Sequence, residues 1–138
     1  MPMLDRPGAQ IWWESRGTGS PVLLIQGLGH PSDAAWRILP ALLTWHTLVL
    51  TDNRGVGLSE VPRARFTIED MAADAAGVLE AAGTGPAHVV GFSMGGLIAQ
   101  ELALHRPDLV RSLTLGCTSP GGPHAVLMGR RVAHLFDH

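Results

Sequence analysis

HVVGFSMGGLIAQELALH, residues 88–105, changes its period at a single serine. Before Ser93 the chain reads His88-Val89-Val90-Gly91-Phe92, apolar and β-branched, as in a strand covered on both faces. After it, Leu97, Ile98 and Glu101 fall at helical spacings, and the segment stops near His105, ahead of Pro107. A strand that becomes a helix with no linker needs a very tight turn. Gly91 and Gly95 flank Ser93 because larger side chains would collide there. Such a turn raises a hydroxyl above the sheet edge and leaves the N–H groups of a helix N-terminus facing it. Taken bare, G-x-S-x-G in a glycine-rich chain is a weak pattern that fits a turn with an incidental serine. The strand before it and the helix after it turn the pattern into a nucleophile prediction for Ser93.

Working outward, Gln10–Ser15, Val22–Gln26, His46–Asp52, His88–Phe92 and Val110–Cys117 read as strands. Ala34–Trp45 carries apolar residues at helical spacing, with Pro40 weakening its middle. A clearer helix opens after Thr67, which is placed to cap it, with acids in the first turn and Asp70 at the capping-box position. That helix runs to about Ala82 and stops at Gly83. A terminal helix is expected over Ala125–Asp137. Strands alternating with helices predict one α/β domain, residues 1–138, with a mainly parallel sheet and flanking helices.

Two further glycine loops leave strands. Gln26-Gly27-Leu28-Gly29-His30 stands where acyl-transfer chemistry needs a second backbone donor for the oxygen that gains charge, so the N–H groups of Leu28 and Met94 are candidate oxyanion donors. A plain glycine loop leaving a strand is the simpler alternative. Asp52-Asn53-Arg54-Gly55-Val56-Gly57-Leu58-Ser59 reads as structural, with Asp52 and Arg54 paired across the turn. Its G-x-G is not a dinucleotide site, because no helix follows directly.

Together, LLIQGLG, DNRGVGLS, GFSMGG and SLTLGCTSPGGPHAV resemble the α/β-hydrolase superfamily, most closely its esterase branch of enol-lactonases and polyketide methylesterases. The resemblance runs from about Gln10 to about Val126. It implies a serine nucleophile at Ser93 and an oxyanion hole from the Leu28 and Met94 N–H groups. Gln26 stands where many members carry histidine. Serine, not aspartate, at the turn argues against the dehalogenase and epoxide-hydrolase branches. The function implied is a serine esterase or lactonase acting on carboxylic esters through an acyl-enzyme. No metal and no cofactor are expected.

The family order is serine, acid, histidine, with the acid after the seventh strand and the histidine after the eighth. This chain reads as a shortened core that lacks those last two strands and the cap. Between Arg111 and Phe136 there is no Asp or Glu. Serine is a poor nucleophile until a neighbour takes its proton, so the seven histidines are weighed by position. His46 and His88 begin strands and fall at the far edge, and His105 ends the helix after Ser93. His30 lies in the Leu28 loop, and His124 on the segment leaving the strand beside the serine strand. His124 is the candidate base, with His30 behind it; His134 and His138, with Asp137, belong to the terminal segment. The competing reading is a folded hydrolase half that binds itself or a partner and catalyses little.

Composition bounds the rest. A net charge of −2 suggests neither nucleic acid nor an anionic membrane as partner. The single cysteine, Cys117, excludes an internal disulfide and fits a reducing compartment. MPMLDRPGAQ has an acid and a proline where a secretion signal has a basic then apolar run. The expectation is a cytoplasmic protein with a small-molecule ester substrate. In the family's strand order Val110–Cys117 becomes an open edge, and Trp36, Leu39 and Leu42 part of an uncovered apolar patch. A homodimer is therefore expected, with a histidine of one copy able to approach Ser93 of the other.

Overall fold

The apolar runs form the centre of a six-stranded sheet, seen in a computed structural model that describes residues 2–126. The strands are β1 (Met3–Arg6), β2 (Ala9–Arg16), β3 (Ser20–Ile25), β4 (His46–Thr51), β5 (Ala87–Phe92) and β6 (Val110–Gly116). The helices are α1 (Leu39–Leu43), α2 (Ile68–Ala82) and α3 (Met94–His105). Across the sheet the order is β1-β2-β4-β3-β5-β6. β4, β3, β5 and β6 run parallel, while β1 and β2 pair antiparallel at one side. This is the mainly parallel α/β sheet that the alternation of periods predicts.

Each central strand is buried on both sides, so its side chains divide between two cores. Leu23, Ile25, Val49 and Val89 face α2 and α3, joining Met71, Val78, Leu79, Ile98 and Leu102. Val22, Leu24, Leu48 and Leu50 face the other way, with Trp12, Ala35 and the half-buried Leu39, Leu42 and Leu43. α2 starts as its sequence requires. Asp70 N donates to Thr67 Oγ1 at 3.1 Å and Thr67 N to Asp70 Oδ2 at 2.8 Å, a complete capping box. The Thr67 N–H and, after it, the Thr67 hydroxyl, both donating to Oδ2, hold the Asp70 carboxyl below its ordinary pKa. Gly83 closes the helix at φ 64°.

Three expectations change. Met3–Arg6, unread in the sequence, forms β1 by pairing with Arg6↔Ala9 through Met3↔Trp12. The expected helix over Ala34–Trp45 is broken into a 3-10 turn at Ser32–Ala35 and the short α1, with Pro40 in its first turn. Proline has no N–H to donate and its ring clashes with the carbonyl one turn earlier, so a helix begins beside it but does not pass through it. The expected apolar patch is also reduced. Trp36 is 64% exposed, with Arg37 lying 5.0 Å over its ring, whereas Leu39 and Leu42 pack into the second core. β6 does stand at the sheet edge, with Leu113 and Leu115 exposed. The expected terminal helix, with His134, Asp137 and His138, lies outside the described residues save for its start. Among the described residues no helix is long and apolar enough to cross a membrane.

Candidate functional site

Parallel register builds the site. Leu24 aligns with Leu50, Ile25 with Gly91, and Phe92 with Gly116. The residues just beyond the four strand ends therefore line up as Asp52 and Asn53, Gln26 and Gly27, Ser93, and Cys117. These are the turns that the sequence singles out, brought to one edge.

Ser93 has φ 53° and ψ −120°, a left-handed region that serine enters only under constraint, at a cost of about 1–3 kcal/mol. Its neighbours supply the constraint. Ser93 N donates to Gly116 O at 3.0 Å, and Ser93 O accepts from Gly96 N at 2.9 Å and from Thr118 Oγ1 at 2.7 Å. The side chain stays exposed. Gly95 is required because a Cβ there would lie 2.6 Å from Gln26 O. A Cβ at Gly91 would likewise meet the Gly95 carbonyl oxygen. Both glycines of the motif are demanded by backbone contact.

The Leu28 loop passes directly over the serine. A Cβ on Gly27 would stand 3.2 Å from Ser93 Cβ and 3.7 Å from Ser93 Oγ. Among the described residues, neither the Leu28 N–H nor the Met94 N–H has an acceptor. Gln26 O accepts from Asn53 Nδ2 at 3.0 Å, and Ser32 N donates to Asp52 Oδ1 at 2.7 Å. Sequence reasoning left Asn53 without a role. Its signal was positional, because parallel neighbours put the residues after β4 beside those after β3.

The histidines sort largely as their positions imply. His46 and His88 lie at the opposite edge, ring centroids 6.4 Å apart, with Nδ1 of His46 donating to Ser20 O and His88 bonded to Ser112 Oγ. His105 donates to Glu101 O at the end of α3. His30 is exposed and donates through Nδ1 to Leu28 O at 2.9 Å. His124 is exposed in the 3-10 turn Gly122–His124. Among the described residues no histidine ring hydrogen-bonds Ser93 Oγ. The loop that carries His124 is nonetheless anchored beside the serine. Gln100 Nε2 donates to both Gly96 O at 3.0 Å and Ser119 O at 2.8 Å, and Thr118 reaches Ser93 O. Thr118 and Gln100 were also missed, since the contacts that anchor the loop, Thr118 on Ser93 O and Gln100 on Ser119 O, join backbone atoms to side chains far along the chain.

The expected Asp52–Arg54 pair is not formed. Arg54 instead holds Asp74 of α2 through Nε at 2.6 Å and its terminal nitrogen at 3.0 Å. That hydrogen bond raises the guanidinium above its ordinary pKa. Arg6 donates to the same carboxylate at 3.2 Å. The reason is geometric: Asp52 points its carboxylate at the N–H groups of Ser32 and Leu58, while Arg54 leaves the turn toward α2.

Ser93 lines neither of two clefts found among the described residues. One of about 450 Å³ is lined by Trp12, Pro31, Asp33, Leu39 and Leu58. The other, about 310 Å³, lies against α2 and the C-terminal end of α3. Its cations are already committed, Arg106 to Glu80 and Asp108, and Arg6 to Asp74.

Residues 20–137 match the family model of the alpha/beta hydrolase fold. The protein named "Putative carbamate hydrolase RutD" of Azorhizobium caulinodans is 41% identical over 116 residues, covering 83% of this chain and 43% of that protein. A pimeloyl-[acyl-carrier protein] methyl ester esterase of Chromobacterium violaceum is 40% identical over 110 residues, 80% of this chain and 41% of its own length. The crystal structure of the enol-lactonase from Burkholderia xenovorans LB400 superposes with a TM-score of 0.80 at 26% identity, covering 86% of this chain and 47% of that one. Epoxide hydrolases also occur among the similar proteins. The chain thus spans less than half the length of these relatives.

Proposed function

The chain belongs to the α/β-hydrolase family, and from that premise we propose that it carries the nucleophile half of a serine hydrolase acting on carboxylic esters. Ser93 Oγ attacks the ester carbonyl, the tetrahedral intermediate expels the alcohol to leave an acyl-enzyme, and water then releases the acid and restores the serine, while the Leu28 and Met94 N–H groups bind the oxygen that becomes negative. The observation that carries this reading is the backbone of Ser93. A non-glycine residue is held at φ 53° by three hydrogen bonds and stays exposed, and the N–H groups of Leu28 and of the adjoining Met94 lack acceptors among the described residues. Preorganised donors of this kind contribute about 3 kcal/mol each to transition-state stabilisation. His124 is the proposed proton acceptor, because its loop is anchored to the serine turn.

The test is covalent labelling of Ser93 by a p-nitrophenyl phosphonate, read by mass spectrometry, beside hydrolysis of a short p-nitrophenyl ester. The wild-type chain takes one label at Ser93, and Ser93→Ala takes none and loses ester turnover. An alanine variant as active as wild type overturns the reading.

A second reading is favoured by the absence of any histidine hydrogen bond to Ser93 Oγ among the described residues. In it the chain is a folded half that associates with itself or a partner and turns over little alone. A chain that labels at Ser93 yet shows only about thousandfold acceleration over water, the residue left by an oxyanion hole and binding, fits that reading.

A further inference from the structure

The contacts between the DNRGVGLS loop and the Leu28 loop play no part in the chemistry as described, yet they are short and specific, one buried and one half-buried. The Leu28 loop is an arch from Gly27 to Ser32, held at both ends. At its start, Gln26 O accepts from Asn53 Nδ2 at 3.0 Å, while the same carbonyl lies against Gly95 at the head of α3. At its end, Ser32 N donates to Asp52 Oδ1 at 2.7 Å. Between them the arch turns on His30 N to Gly27 O at 3.2 Å.

Asp52 is itself immobilised. Only 3% of its surface is exposed. Its Oδ2 accepts from Leu58 N at 2.9 Å, its carbonyl accepts from Ser59 Oγ at 2.6 Å, and its N–H reaches Trp12 O on β2 at 3.3 Å. The carboxylate fills the space where a side chain at Gly57 would stand. Because Arg54 is committed to Asp74, no guanidinium draws the Asp52 oxygens away from the backbone.

We propose that Asp52 and Asn53 are positioning residues that fix the Gly27–Ser32 arch, and with it the Leu28 N–H, in register with Ser93. This rests on the serine-nucleophile reading. The proposed role of each requires no contact with substrate. Each acts through the peptide it holds, and a donor displaced by an ångström loses most of its value to a transition state.

The experiment compares the full chain with Asn53→Ala and the shape-matched Asn53→Asp, which keeps volume but loses the donor. Hydrogen exchange of residues 27–32 and phosphonate labelling of Ser93 are read in parallel. Both variants are expected to exchange faster across 27–32 and to keep wild-type protection in α2 and β5. The maximal labelling rate falls about 10-fold or more, with half-saturation unchanged. Unaltered exchange across 27–32 overturns the clamp. Faster exchange with unaltered labelling, or an effect confined to half-saturation, overturns the positioning role. Loss of protection throughout both variants makes Asn53 a stability residue and also overturns it. A wild-type chain that takes no label sinks the nucleophile reading itself, and the proposal falls with it.

Discussion

Ser93 and Cys117 are the non-glycine residues at positive φ among those described, at 53° and 43°, and they end neighbouring strands. Both turns are therefore forced by what surrounds them, and the loop leaving Cys117 carries His124. Thr118 and Ser119 pin that loop to Ser93 O and to Gln100, so His124 departs from a fixed point near the nucleophile. If it takes the serine proton, His124→Ala lowers kcat by about 10² or more. The acidic limb of the pH–rate curve disappears with it, because a base must be unprotonated to work. A rate and profile matching wild type would return His124 to the surface and direct attention to His30.

At the scale of elements, Arg54, Asp74 and Arg6 join the turn after β4, the middle of α2 and β1. Arg54 and Asp74 are buried, with side chains 6% and 8% exposed. A buried pair gains little over apolar packing, but removing one partner leaves an uncompensated charge. Asp74→Ala strands one buried and one half-buried guanidinium, and urea unfolding should report a loss of about 3–5 kcal/mol. A loss under about 1 kcal/mol would show that water reaches these charges and that the triad does not anchor the turn. The same anchoring bears on the site, since the turn carries Asp52 and Asn53.

For the whole molecule, the described sheet ends on β6, whose outer backbone groups meet no neighbouring strand. Leu113 and Leu115 are 38% and 42% exposed, and Arg111 is the one charged residue of that strand. Open edges of this kind recruit a further strand. We propose that two copies of these 138 residues cover each other's edge, symmetric pairing being the simplest closed arrangement. Light scattering after size exclusion at micromolar concentration should then give about twice the 14.6 kDa of one chain. A clean species at the single-chain mass would refute it.

Periodicity alone determined the strands from Val22, His46, His88 and Val110, the helices after Thr67 and Ser93, and the serine turn itself. These depend on local steric and hydrogen-bonding rules that act within a few residues, so the chain states them directly. β1 was illegible because Met3–Arg6 is too short and too polar to be a strand until β2 pairs with it. The partner of Arg54, the hold of Asn53 on Gln26 O, and the grip of Thr118 and Gln100 on the turn were equally hidden. Each joins groups 19 or more residues apart through a backbone carbonyl or a carboxylate, save for Gln100 on Gly96. Which carbonyl lies beside which side chain is set by the order β4-β3-β5-β6 and its register. That order comes from packing the whole sheet between two layers of helices, and no window of the sequence contains it.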